Sequence, residues 1–83
     1  MQRVEFTIEP FVEGKPGSHV TEPIAAIRDL GVEVEVGPFA TGCSVDDTHA
    51  PEIVAAIVRA AFANGATHVN LDITNGSFDR GDT

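Results

Sequence analysis

The chain has 83 residues, 42% of them hydrophobic, enough for one domain over 1–83 near the lower limit of what folds without disulfides or metals. Thirteen acidic side chains against five Lys and Arg give a net charge of −8, which leaves no basic patch for nucleic acid and disfavours anionic membrane surfaces. A single cysteine permits no internal disulfide, no apolar run nears the roughly 20 residues of a membrane span, and the start MQRVEF lacks a signal peptide's apolar core, so a cytoplasmic protein is expected.

Taken in order, Val4, Phe6 and Ile8 alternate with Glu5, Thr7 and Glu9, the period of a strand with one buried face, so the first strand is expected over Arg3 to Glu9. Pro10 to Gly17 holds two prolines and two glycines and reads as a loop. A helix follows, with Ser18 or Thr21 as its cap, Pro23 tolerated in the first turn, and Val20, Ile24, Ile27 and Leu30 at helical spacing. Gly31 stops it. Val32, Val34 and Val36 alternate with Glu33 and Glu35, giving a second strand from Val32 to Val36. Gly37-Pro38-Phe39 then leads to a third strand over Ala40 to Val45.

Asp46, Asp47 and Thr48 are acceptable caps for a second helix, expected from near Pro51 to Asn64 and carrying Ile53, Ile57, Ala60 and Ala61 on one stripe. Gly65 closes it, and a fourth strand runs from His68 to Ile73 with Val69, Leu71 and Ile73 inward. Thr74 to Thr83 is polar and reads as a loose tail, or as a contact between subunits through Phe78. The chain lacks Trp and Tyr and has five Phe to supply bulk, which implies a stability of about 5 kcal/mol and an advantage in oligomerising.

The order βαββαβ, with right-handed crossovers, predicts an α+β ferredoxin-like plait: an antiparallel sheet ordered 4-1-3-2 with both helices on one face. Such a fold gathers Glu9, Ser18, His19, Phe39, Thr41, His68 and Asn70 at one rim, and leaves mainly Gly31, Asp46 and Asp47 at the other.

The segments EFTIEPFVEG, DLGVEVEVGPFAT and AAFANGATHVNLDI, in this order and spacing, resemble the small thiamine-binding (YkoF-like) family over Val4 to Ile73. The resemblance implies a ferredoxin-like protein that assembles as a dimer or tetramer and binds thiamine or its hydroxymethylpyrimidine half, in salvage, sensing or delivery, without catalysis. The chain departs from the family's turn pattern: Ala40 stands in a glycine's place, Gly42-Cys43 in that of an apolar pair, and Ser44 in that of a glutamate. Its tail is also shorter than many relatives use in assembly.

A flat aminopyrimidine needs an apolar surface and a few polar groups at its edge. Phe39 is the candidate for the first, Thr41 and Asn70 for the second. Each has a plainer reading, as a core side chain or an ordinary strand residue. Glu9 favours a cationic ring by its field, whereas Glu5, Glu33 and Glu35 also fit a solvated face. Ser18 and His19 open a helix whose positive end suits a phosphate, although capping alone explains Ser18. His19, His49 and His68 lack metal-ligand spacing, and Cys43 within a strand reads as a small packing residue, so neither metal nor cofactor nor catalytic residue is assigned. The expected partners are a small molecule and a second copy of the chain. The alternatives are an assembly or regulatory module without thiamine affinity, and a small plait enzyme such as a phosphatase or isomerase.

Overall fold

The computed structural model describes residues 1–11, 14, 16–38 and 40–76. The alternation at the start of the chain becomes β1 (Gln2–Glu9), in which Val4, Phe6 and Ile8 are at most 3% exposed. Five further elements follow: α1 (Ser18–Asp29), β2 (Glu35–Val36), β3 (Thr41–Val45), α2 (Ala50–Ala63) and β4 (His68–Asn75). They form a four-stranded antiparallel sheet in the order β2-β3-β1-β4, which is 4-1-3-2 read from the other edge. This is the ferredoxin-like plait expected. No helix among the described residues is long and apolar enough to cross a membrane.

One face of the sheet carries the core. Ile24 and Ile27 of α1 and Ala50, Ile53, Ile57 and Ala61 of α2 pack with Val4, Phe6, Ile8, Cys43 and Val45. Fully burying an isoleucine contributes roughly 1.5–3 kcal/mol, and Ile27 and Ile57 are both 0% exposed. Val69 and Leu71 of β4 join this layer, whereas Ile73 stays 47% exposed although its pairing with Val4 places it on the same side. The opposite face is polar: Arg3, Glu5, Thr7 and Glu9 of β1 stand beside Thr74, Asp72, Asn70 and His68 of β4. Across it the Arg3 guanidinium reaches over Gly42 to Glu35, with Nη1 to Oε1 at 2.6 Å.

Both helices end in the same way. Gly31 N–H donates to Arg28 O and Val32 N–H to Ile27 O, and the pattern repeats from Gly65 to Phe62 and from Ala66 to Ala61. These are Schellman motifs, with the glycines at φ of +88° and +96°. The first explains why β2 is only two residues long and not the five of Val32 to Val36. Val32 is committed to finishing α1, and Val32 and Val34 pack against the core without entering the ladder.

Four further expectations are corrected. Gly17, not Ser18 or Thr21, precedes α1, and no side chain caps the helix; Ser18 is its first residue. Pro23 therefore lies in the second turn, fully buried, where it removes the N–H that would pair with the His19 carbonyl. Thr74 and Asn75 belong to β4 and not to a tail; Ser77 to Thr83, with Phe78, lie outside the described residues. At α2 the expected caps Asp46, Asp47 and Thr48 are likewise corrected: His49 precedes the helix and no side chain caps it, while Asp46 Oδ1 accepts the His49 backbone N–H at 2.9 Å in the turn before it.

Candidate functional site

The end of β1, the first turn of α1 and the β2–β3 turn meet at one rim, around a cavity of about 210 Å3. Its lining is mainly apolar: Phe6 and Ile8 from β1, Val20 from α1, Pro10 and Phe11 after β1, and Val36 from β2. Three lining residues have polar side chains, Thr7, His19 and Thr41; Thr7 pairs with Asn70 on the open face, and the strand pairing also places Thr41. Thr41 lies opposite Phe6, so its side chain shares the helix-covered side of the sheet but sits at the rim. It is 8% exposed.

The Thr41 hydroxyl makes no side-chain hydrogen bond among the described residues. No buried side-chain oxygen or nitrogen among them is sealed without a partner, so this hydroxyl opens onto the cavity. A polar group in an apolar wall is costly unless something bonds it.

The other buried polar lining residue is His19, 7% exposed, whose Nε2–H donates to the Pro10 carbonyl at 2.6 Å. The carbonyl can only accept, so the neutral ring carries its proton on Nε2. This bond ties the chain leaving β1, after a cis Glu9–Pro10 peptide, to the first turn of α1. Gly17 lies against the other edge of the ring: a Cβ there would be 2.9 Å from both Nδ1 and Cε1.

Of the residues singled out from sequence, the structure brings His19 and Thr41 together at this cavity. Glu9 and Asn70 lie on the open face, paired with His68 and Thr7, and the sheet stands between them and the cavity. Ser18 is exposed and does not line it. Phe39 lies outside the described residues. Sequence reasoning missed Gly17, Pro10 and Phe11, which it took only as loop. The available signal was the density of proline and glycine between a strand and a helix, which fixes a wall as readily as a linker.

The other rim is richer than the expected Gly31, Asp46 and Asp47. It holds a broader depression of about 830 Å3, lined among others by Arg3, Glu33, Glu35, Asp46, His49 and Glu52. Several of its charges are already engaged: Arg3 with Glu35, His49 Nδ1 with Asp46 at 2.7 Å, and the Met1 ammonium with the adjacent Asp47 at 2.9 Å. The two hydrogen bonds from His49, backbone first, hold the Asp46 carboxyl below its ordinary range. Size therefore favours this rim, but its acidic side chains are exposed to solvent, whereas the smaller cavity holds buried polar groups in an apolar wall and is the better candidate for recognition.

Cys43 faces the core opposite Val4, and burial pushes its thiol up, with Arg3 opposing more weakly. His19 is at the cavity, His49 before α2 and His68 at the start of β4, and no group of three metal-ligating side chains assembles among the described residues.

No protein-family model and no curated protein matches this chain. Among solved structures it is similar to a domain of unknown function, DUF77, from Bacillus cereus, with a TM-score of 0.63 and 24% identity over 88% of this chain and 71% of that one. It is also similar to protein SP2199 from Streptococcus pneumoniae, with a TM-score of 0.70 and 21% identity over 92% of this chain and 87% of that one. At these identities the likeness establishes architecture: the chain shares the plait of these two proteins.

Proposed function

We propose that the protein binds a small aromatic heterocycle in the rim cavity, and that the hydroxymethylpyrimidine half of thiamine is the leading ligand. The observation that carries this reading is the Thr41 hydroxyl, nine-tenths buried in an apolar wall without a side-chain partner among the described residues. Sites for small molecules combine apolar walls with a few placed polar groups. At about 210 Å3 the cavity is smaller than the roughly 300–1,000 Å3 of pockets for drug-sized ligands. That favours a single ring over intact thiamine, whose second ring must then project past Phe11 and Val36. Glu9, on the far face of the sheet, contributes only through the acidic field of the whole molecule.

The reading is of a binder and not an enzyme. Burial raises the Cys43 thiol and so opposes its use as a nucleophile, and neither His19 nor Thr41 is hydrogen-bonded in a nucleophile–base pair among the described residues. Phe11 and Val36 at the cavity mouth are 73% and 64% exposed. Their exposure supports self-association as part of the same proposal, a second copy of the chain being what would bury them.

A thermal-shift series with hydroxymethylpyrimidine, thiamine and thiamine phosphates tests the ligand. Binding at a hundredfold excess over Kd stabilises by about 2.7 kcal/mol, and hydroxymethylpyrimidine is expected to act at the lowest concentration. Absence of stabilisation by every one of these compounds refutes the pyrimidine reading.

A further inference from the structure

Resting on that reading of the rim cavity, we infer that His19 Nδ1 is a recognition acceptor that makes the site select heterocycles bearing an exocyclic amine. The argument starts from the tautomer. The Pro10 carbonyl takes the Nε2 proton at 2.6 Å, which leaves Nδ1 of the neutral ring with a lone pair and no hydrogen to give. A nitrogen in that state accepts a hydrogen bond and offers nothing to a carbonyl or an ether.

The second observation is the space beside it. Gly17 lines the cavity with His19 and has no side chain against the Nδ1 edge, where a methyl would lie 2.9 Å from Nδ1 and Cε1; no side-chain nitrogen among the described residues is sealed off without a partner. The backbone does not demand glycine: Gly17 has φ −82° and ψ 175°, a region open to any residue. The glycine is therefore accounted for by the ring it leaves room for.

Thr41 supplies the complementary half. Its hydroxyl can donate to a ring nitrogen while Nδ1 accepts from the neighbouring amine, which matches the N–C–NH2 edge of a 4-aminopyrimidine. The bond through Nε2 fixes the ring's orientation and, in the neutral ring, the tautomer that leaves Nδ1 as the acceptor. A ligand with a methyl in place of the amine fills the same volume but leaves Nδ1 unbonded in an apolar wall. Sites built on such polar contacts reject the analogue that lacks the matching group more sharply than apolar pockets reject a missing methylene.

The test is an NMR titration of the full chain with 4-amino-2-methylpyrimidine and with 2,4-dimethylpyrimidine. The amine is expected to bind roughly tenfold tighter or more, and the His19 Nδ1 nitrogen resonance is expected to move with the amine alone. Gly17→Ala, which closes the ring edge, should lower affinity for the amine to that for the dimethyl compound. Equal affinities in the unaltered protein overturn the selection rule while leaving a heterocycle site standing. Failure of both compounds to bind removes the site and the rule together. An Nδ1 resonance unmoved at saturation by the amine also overturns it, and this readout stands even if Gly17→Ala does not fold.

Discussion

Replacing Thr41 by Val exchanges a hydroxyl for a methyl of similar volume at a position 8% exposed and opposite Phe6. Burial of a hydroxyl without a compensating bond costs about 1–3 kcal/mol in mutational data. Here the oxygen still opens onto the cavity, so the lower figure applies, and valine suits a strand at least as well as threonine. Thr41→Val is therefore expected to stabilise the empty protein by about 1 kcal/mol, which raises Tm by roughly 4–8 °C for a domain of this size. Ligand binding should move the other way. Loss of one hydrogen bond to a buried group costs about 1–3 kcal/mol, or roughly tenfold to a hundredfold in Kd. Calorimetric melting and calorimetric titration with hydroxymethylpyrimidine measure the two effects on the same preparation. A lower Tm means that the hydroxyl has a partner within the protein, and an unchanged Kd removes Thr41 from the site.

Three other outcomes follow from the geometry. Gly42→Ala places a Cβ 2.5 Å from Arg3 Nη2; displacing Arg3 from Glu35 should cost up to about 1 kcal/mol in urea unfolding, and the cost should vanish in an Arg3→Ala background. Asp46 is held below its ordinary range by its bonds from His49, so its contribution is present above the unfolded carboxylate range and fades as pH falls through its folded value. The stability gap between the unaltered protein and Asp46→Asn, followed by thermal melts from neutral to acid pH, should shrink accordingly; a constant gap refutes the assignment. Light scattering at micromolar concentration should give a mass above the 8.7 kDa of one chain, and a monomer would refute the covering of Phe11 and Val36 by a second copy.

The plait was legible because its strongest elements are strictly periodic. Val4, Phe6 and Ile8 have one arrangement that buries all three, and the glycines at 31 and 65 mark both helix ends. Val32 to Val36 misled because alternation reports which side chains face inward and says nothing of whether the backbone has a partner. Val32 and Val34 do turn toward the core, but the Val32 N–H is spent on α1. The site was half legible for a related reason. Topology correctly collected strand ends at one rim, yet a rim has two sides. Parity along each strand already separates Glu9 and Asn70 from Thr41: Glu9 alternates away from Ile8 and Asn70 away from Val69, while Thr41 follows Phe6. The Pro10 contact to His19 depends on the path of a loop and has no periodic signature.

The pairing of β1 with β4 also governs when the protein becomes competent. Gln2 meets Asn75 across 73 positions of sequence, so the central strand lacks one of its two neighbours until nearly the whole described chain has been made. At about 5–20 residues per second that interval lasts several seconds, with Val4, Phe6 and Ile8 short of their final cover. Contacts of such long range slow folding, because loop closure must precede the gain from pairing. The residues lining the rim cavity all fall between Phe6 and Thr41. The nascent chain thus carries every wall of its cavity long before it has the strand that steadies β1. A ligand recognising the finished walls would bind only after β4 has docked, and its presence during synthesis would act on the last step of folding and not on the first.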